Sequence, residues 1–387
     1  MLHDTLEVLH QGEGNGNDMI IRLRLPSGLE ILGLPTKNFY GGDWDLGPTW
    51  NYLVLADRPF LVDTGRTGQG KVLLEALETA GVSGKDLAFV LLTHGHEDHD
   101  GGLSEIIREA GARVKAHRLY DRLIRSYPDH APLGVERNFP ASCWHCPMPA
   151  SFSKTHCRTY HQDRSQLEIE TIGDGETSIT KSVTSYHLPG HSPDALAFLL
   201  GEEVLLVGDT LLPDISPHPT RLCYFDQVAN VLAPEYPSGD SIYGLRAYIR
   251  SLKKLERIGT RMEQLIVLPA HRLFYNHQWH EMALSERVRE LVTHHVERCA
   301  GILESLKEGP MTATELAAVL FDAALLKGTG IVMAENEILS HCELLQISGD
   351  LATGNGGRFE VSGTSHFESA IEALEPEGEE RAASHSS

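Results

Sequence analysis

Two hydrophobic periods alternate along the chain, one typical of strands and one typical of helices. Residues 18–36 and 49–63 carry short β-rich runs separated by Gly, Pro and Asp, as in hairpins. Residues 69–81 place apolar side chains at helical spacing and end on a glycine suited to a helix C-cap. Residues 87–92 then predict a buried strand, and residues 103–111 predict the helix behind it.

The same order of strand and helix resumes after residue 165, which predicts an α/β (α+β layered) fold for residues 1–280. From residue 282 the periodicity is helical, and a helix, a strand, a Gly/Asn turn and a second strand follow. This order predicts a small helical, winged-helix-like domain over residues 281–365. Residues 366–387 are acidic and poor in apolar side chains, so we expect a disordered tail.

A dense group of polar residues follows the predicted strand at 87–92, in the stretch LLTHGHEDHDGG. Imidazole and carboxylate together are the ligand set for Zn²⁺ and for non-haem iron. Gly101 and Gly102 allow the backbone to turn and a helix to pack close behind the site. The candidate metal ligands in this stretch are His94, His96, Asp98 and His99.

Three further ligand-type residues each stand at the end of an apolar run. They are His191 in LPGHSPD, Asp209 in LLVGDTLL and His271 in IVLPAHR. We expect the ends of these strands to converge on one rim of the fold. Together with the histidine-rich stretch, they would complete a ligand set for two metal ions.

The stretch Thr93–Gly102 matches the pattern T-H-x-H-x-D-H-x-G-G, and FLVDTG, PGHS, GDTLL and PAHR occur around it in a fixed order. Over about residues 20–280 the chain therefore resembles the metallo-β-lactamase superfamily, in its glyoxalase-II-like branch. This resemblance implies an αββα sandwich, with two sheets face to face and helices outside. Residues 282–362 resemble the winged-helix tail found on a branch of these hydrolases.

The resemblance also implies a role for each candidate ligand. The first ion would be held by His94, His96 and His191, the second by Asp98, His99 and His271, with Asp209 bridging the two. Asp63 is similar to the family's buried acid, which supports the loop of metal ligands without binding metal itself. We call this loop, residues 94–99, the histidine loop. Two divalent ions, Zn²⁺ before Fe or Mn, would acidify a shared water to hydroxide. Asp98 would act in catalysis by holding or accepting the proton of that nucleophile.

Residues 118–165 interrupt the strand and helix order, and they are rich in Pro, Cys, His and aromatic residues. We expect a lid-like insert that covers the metal site, or alternatively a solvated loop. Seven basic residues face four acids there, which favours an anionic, partly apolar substrate. The candidate substrate contacts are Arg122, Arg125, Arg137 and Trp144. We expect packed free thiols among the cysteines of this segment, with a further zinc site at Cys143, His145, Cys146 and Cys157 as the alternative.

Charge and composition limit the partners and the location. The formal net charge of -21 argues against nucleic acid and anionic membranes, because binding to either requires a basic surface. The first residues lack a basic flank with an apolar core, and no apolar run approaches membrane-spanning length, so we expect a cytoplasmic enzyme. Six cysteines in a chain of 387 residues fit reduced thiols or a metal cluster. The winged-helix-like part could serve packing, homodimer formation or the wall of the active site.

We therefore expect a dinuclear metal hydrolase that cleaves a thioester, ester or lactone of a small anionic substrate. Two other enzymatic functions stay open, a phosphodiesterase or ribonuclease and a mononuclear iron dioxygenase. The acidic charge disfavours the first, although a basic lid could still guide one strand. A non-enzymatic scaffold would be expected to lose ligands, whereas all seven are present.

Overall fold

The computed structural model describes residues 2–39, 45–126, 157–177, 180, 182–232, 235–262, 264–328 and 330–376. Eight strands form the larger sheet, in the order β1 to β8. Neighbours are antiparallel from β1 to β5 and parallel from β5 to β8. The strands are β1 Leu6–His10, β2 Ile20–Arg24, β3 Glu30–Thr36, β4 Thr49–Leu55, β5 Phe60–Val62, β6 Phe89–Leu91, β7 Arg113–His117 and β8 Ile169–Ile172.

A second sheet has four strands in the order β12, β11, β10, β9. Its members are β9 Val183–His187, β10 Leu196–Leu200, β11 Val204–Gly208 and β12 Ile266–Pro269. The pair β11 and β12 is parallel, whereas β10 is antiparallel to both of its neighbours. Two short hairpins join β13 Phe274–Tyr275 to β14 Gln278–Trp279 and β15 Leu351–Thr353 to β16 Phe359–Val361.

The α-helices lie between and after these strands. Their bounds are α1 Leu2–Thr5, α2 Gly70–Thr79, α3 Glu97–Asp100, α4 Leu103–Ala110, α5 Arg118–Ile124, α6 Cys157–Ser165, α7 Phe225–Leu232, α8 Gly244–Gly259, α9 Leu284–Ser305, α10 Ala313–Leu320, α11 Gly330–Ile347 and α12 Phe367–Glu372. In the described residues no helix is both long and apolar enough to cross a membrane.

The sheets stack face to face because their strands are apolar on both sides. In β4, Trp50 and Tyr52 point into the core between the sheets, where they join Phe198 of β10. Leu53, the next residue of the strand, points the other way and packs with Leu73 of α2, as the two-residue period of a strand requires. The outer face of the second sheet is covered by α8 and the C-terminal helices. The predicted αββα sandwich is thus confirmed.

The C-terminal helices share one continuous core with α8 and the second sheet. Thr312 caps α10 by accepting the N–H of Glu315, whose carboxylate accepts the N–H of Thr312 in return. Met311 forms a β-bridge with Phe359, which places a third short strand segment beside the β15–β16 hairpin. A separate winged-helix domain over residues 281–365 stays a prediction.

Two expectations about irregular segments were wrong. Residues 366–387 are not disordered throughout, because α12 buries Phe367 and Ile371 in the core and Leu374 follows at helical spacing. The insert at 118–165 is also not irregular at its ends, which form α5 and α6. Helix α5 packs against the rest of the protein through the buried side chains of Leu119 and Leu123.

Candidate metal centre

The predicted ligands follow strands whose carboxyl ends meet at one edge of the sandwich. Strand β6 runs parallel to β5, and β11 runs parallel to β12. Strand β9 has the direction of β11, since both are antiparallel to β10. The loops after β5, β6, β9, β11 and β12 carry, in that order, Asp63, residues 94–99, His191, Asp209 and His271.

All seven predicted ligands come together in three overlapping groups, and in each group the ligand atoms lie within 4.8 Å of one another. The groups are His94, His96 and His191, then His94, His99 and Asp209, and finally Asp98, His99 and His271. The Nε2 atom of His191, from the first predicted ion, lies 3.6 Å from Asp209 Oδ2, and that of His99, from the second, lies 3.4 Å from the same oxygen. Asp209 therefore stands between the histidines of both predicted ions.

The imidazole rings are oriented from behind through their Nδ1 atoms. His191 Nδ1 donates to the carbonyl of His218 at 3.0 Å, and His271 Nδ1 donates to the carbonyl of Pro48 at 3.1 Å. His99 Nδ1 donates to Asp63 Oδ2 at 2.9 Å. A carbonyl or carboxylate accepts only, so each of these rings carries a proton at Nδ1 and directs its Nε2 atom at the site.

The buried atoms that face the centre fit a metal. The Nε2 atoms of His94 and His191, together with Asp209 Oδ1, are buried and have no hydrogen-bond partner among the described residues. Leaving one buried polar atom unsatisfied costs about 1–3 kcal/mol, so an unsatisfied cluster of this size is unfavourable unless a ligand completes it. Neutral imidazole and carboxylate are the donors that divalent transition metals prefer.

Charges at the centre are strongly coupled. Burial acts to lower the pKa of His271, but the carboxylates of Asp209 and Asp98 outweigh it and raise this pKa to about 9. Burial conversely acts to raise the pKa of Asp209, yet His271 and His99 hold it well below its usual range. The two acids are thus ionised at neutral pH, and a bound cation would replace protons held by the histidines.

Asp63 organises the histidine loop, as the sequence predicts. It accepts the N–H and the hydroxyl of Thr93, at 2.8 and 2.7 Å, in addition to the ring of His99. Its backbone φ of 61° lies in the left-handed region, which is unfavourable for a residue with a side chain. We read this strain as the consequence of aiming one carboxylate at both Thr93 and His99.

A family model described as the metallo-beta-lactamase superfamily matches residues 44–271, more than half of the chain. The chain belongs to the metallo-beta-lactamase superfamily. Two solved structures agree in fold. A beta-lactamase domain protein from Burkholderia ambifaria has a TM-score of 0.61 at 20% identity, over 94% of this chain and 98% of that one. A metallo-beta-lactamase family protein from Thermus thermophilus has a TM-score of 0.55 at 24% identity, over 87% and 99%.

Named relatives of this superfamily member are distant. An atrochrysone carboxyl ACP thioesterase from Passalora fulva is 27% identical over 69% of this chain and 68% of its own. A lactamase-like protein from Pestalotiopsis microspora is 28% identical over 44% of this chain, and the match spans only 41% of that relative. A hydroxyacylglutathione hydrolase from Shewanella pealeana is 26% identical over 37% of this chain and 39% of its own length.

One residue of this metallo-beta-lactamase centre escaped the sequence reasoning. Asn38, just after β3, donates through Nδ2 to Asp98 Oδ2 at 2.9 Å. His271 Nε2 lies 3.2 Å from the same oxygen, so Asn38 fixes one oxygen of Asp98 and leaves the other to the site. Asn38 Oδ1 is buried and has no hydrogen-bond partner in the described part of the chain. No spacing or motif in the sequence marks this asparagine.

The two described arginines among the predicted lid contacts have protein partners. Arg122 is ion-paired with Glu235 at 2.6 Å. Arg125 binds Asp121 and donates to the carbonyls of Ser165 and Leu167. Their predicted contact with substrate is untested. Outside the described residues lie the other predicted contacts, Arg137 and Trp144, and the predicted zinc ligands Cys143, His145 and Cys146; of Cys157 only the helical backbone is described.

Proposed function

We propose that the chain is a dinuclear metal hydrolase that cleaves thioesters. The observation that carries the dinuclear part is the pair of ligand groups on either side of Asp209. His94, His96 and His191 would hold the first ion, and Asp98, His99 and His271 would hold the second, most favourably Zn²⁺. A mononuclear iron site would need only one of these groups, so the second would have no purpose.

Bound ions would acidify a shared water and receive the negative charge that develops on the carbonyl oxygen. The residues of the chain have distinct tasks in this reaction. Asp98, held by Asn38 through one oxygen, can accept the proton of the attacking water through the other. The water oxygen adds to the acyl carbon and the carbon–sulfur bond breaks. That proton then passes to the leaving thiolate, which gives a carboxylic acid and a thiol.

The thioester preference rests on the named relatives and on the centre itself. The thioesterase and the hydroxyacylglutathione hydrolase are named for thioester substrates, although the identities are low. A metal-held water in this chain would make a serine or cysteine nucleophile unnecessary. The net charge of -21 disfavours a phosphodiesterase or ribonuclease, since a nucleic-acid substrate would be repelled.

A panel of thioesters tests the proposal. S-lactoylglutathione and two acyl-CoA thioesters of similar size, one carrying a free carboxylate and one without, would be incubated with the protein, and the released thiol measured. We expect hydrolysis that His96→Ala lowers by more than about 100-fold and that His3→Ala, at an exposed position, leaves unchanged. A faster reaction with the carboxylated acyl group would support the predicted anionic substrate.

The same protein would be assayed with bis(p-nitrophenyl) phosphate, a β-lactam and, for dioxygenase chemistry, oxygen consumption with a thiol. Turnover of the phosphodiester alone, or oxygen consumption with a single bound iron, would contradict the thioesterase proposal.

A further inference from the structure

A buried polar cluster lies beneath the histidine loop and has no place in the metal chemistry described above. We call it the Asp100 cluster, and its members are Asp100, Tyr120, Tyr160 and Arg164. Tyr160 donates to one oxygen of Asp100, whereas Tyr120 and Arg164 donate to the other at 2.9 and 3.0 Å. Every member is at least 94% buried.

The guanidinium of Arg164 joins both ends of the loop that carries the ligands. Its Nη1 atom donates to the carbonyl of Gly95 at 3.2 Å and to Asp100 Oδ2 at 3.0 Å. Gly95 directly follows the first ligand of the loop, and Asp100 directly follows the last one, His99. Three of the seven predicted ligands, His96, Asp98 and His99, therefore lie between two anchor points of one side chain, and the fourth ligand of the loop directly precedes the first anchor.

Gly95 is also held from its other side. The carboxylate of Asp194, which accepts the hydroxyl of Ser192, lies beside Gly95. A Cβ atom at position 95 would lie 2.9 Å from the ring of Tyr120 and 3.2 Å from Asp194 Oδ2. Buried side chains thus pack closely against the backbone at Gly95 and leave no room for a side chain there.

Stability of the fold is a weak reason to keep such an arrangement. Removing two charges from water costs several kcal/mol per ion, and apolar replacements of buried ion pairs are often neutral or stabilising. A planar guanidinium, by contrast, fixes the direction of each acceptor that it binds. Partners of metal ligands typically change metal affinity 10–100-fold when they are substituted. The Asp100 cluster is placed to orient metal ligands in the same way. It contacts the backbone of the histidine loop, however, and not the ligand side chains themselves.

We propose that Arg164 and Asp100 are positioning residues that set the metal affinity of the histidine loop through Gly95. The inference rests on the proposed function only in taking this loop as the metal site. Arg164 lies in α6, at the C-terminal end of the insert at 118–165, so the metal loop is tied to that end of the segment. Sequence reasoning had counted Arg164 only among the basic residues of the lid.

Metal affinity and ligand geometry test the proposal without reference to a substrate. Metal-free wild type and Arg164→Lys would be titrated with Zn²⁺ in competition with a chromophoric chelator, and their Co²⁺ forms compared by visible absorption. Arg298→Lys is the matched control, because Arg298 also bridges a carboxylate, Glu337, and a backbone carbonyl, that of Leu320. Tyr160→Phe, which removes one hydroxyl, serves if Arg164→Lys does not fold.

We expect Arg164→Lys to weaken Zn²⁺ binding by about 10–100-fold and to shift the Co²⁺ bands, with a smaller change of the same sign in Tyr160→Phe. Arg298→Lys should keep the wild-type affinity and spectrum. If both Arg164→Lys and Tyr160→Phe bind Zn²⁺ within twofold of wild type and keep its Co²⁺ spectrum, the cluster is only structural and the proposal is wrong. Either result stands whether or not thioesters prove to be the substrates.

Discussion

Replacing Asp63 by asparagine removes the negative charge of the side chain and keeps its size and shape. The side-chain oxygen of the introduced amide could still accept the N–H of Thr93, but its N–H₂ group would face the protonated Nδ1 of His99. The change therefore removes the buried hydrogen bond from His99 to a charged acceptor, which contributes about 1.5–3 kcal/mol, and the Thr93 hydroxyl, which donates to the same oxygen, would have to accept from the amide instead. If that free energy serves to orient His99, the affinity of the second ion should fall about 10–100-fold, since 1.4 kcal/mol equals a factor of ten.

The assay is Zn²⁺ binding by chelator competition, with thermal unfolding of the metal-free protein alongside. Asp350→Asn is the matched control. Asp350 is also buried and accepts two hydrogen bonds, from the N–H of His366 and the hydroxyl of Thr364. These residues are distant in the sequence from the predicted metal ligands. We expect both variants to unfold at lower temperature and only Asp63→Asn to lose metal affinity. Equal affinities in the two variants would refute the orienting role of Asp63.

Three other results are expected. In Asn38→Ala the decrease in kcat should be about 10-fold larger than the change in KM, because Asp98 loses its fixed orientation. Steady-state kinetics on a thioester that the protein hydrolyses measures both constants. Gly190→Ala should cost about 3–5 kcal/mol in chemical denaturation, since a Cβ would lie 2.3 Å from the backbone of Tyr248 at a φ of 125°. Burial keeps the pKa of His187 at about 4, below its usual 6.5, so only the unfolded chain takes up this proton between those values. The free energy of unfolding should thus fall as pH falls from 6.5 to 4, and less steeply in His187→Gln; parallel slopes would contradict this.

The sandwich and the ligands could be predicted because each depends on local patterns. Strands that are apolar on both faces indicate their own burial, and a polar residue at the end of each apolar run indicates the edge where carboxyl ends meet. His191, Asp209 and His271 are recognisable in this way although they are distant in the sequence.

Residues that act through tertiary contacts could not be found in the same manner. Asn38 and Arg164 reach the histidine loop from other segments, and neither their spacing nor their neighbours in sequence reveal the contact. The basic character of residues 118–165 indicates a substrate-binding lid, with Arg122, Arg125 and Arg137 as its predicted contacts, but it does not reveal that Arg164 of the same segment is buried against Asp100. Helix α12 was missed because charge dominated its composition, although Phe367, Ile371 and Leu374 have the spacing of an amphipathic face.

Stepwise reconstitution tests the central claim most directly. Metal-free protein would be titrated with Zn²⁺ while bound metal and thioester hydrolysis are measured in the same samples. The account predicts negligible hydrolysis without metal and a rate that reaches its plateau when two ions are bound per chain. Full activity in the metal-free protein, or no hydrolysis of any thioester with both sites filled, would contradict it.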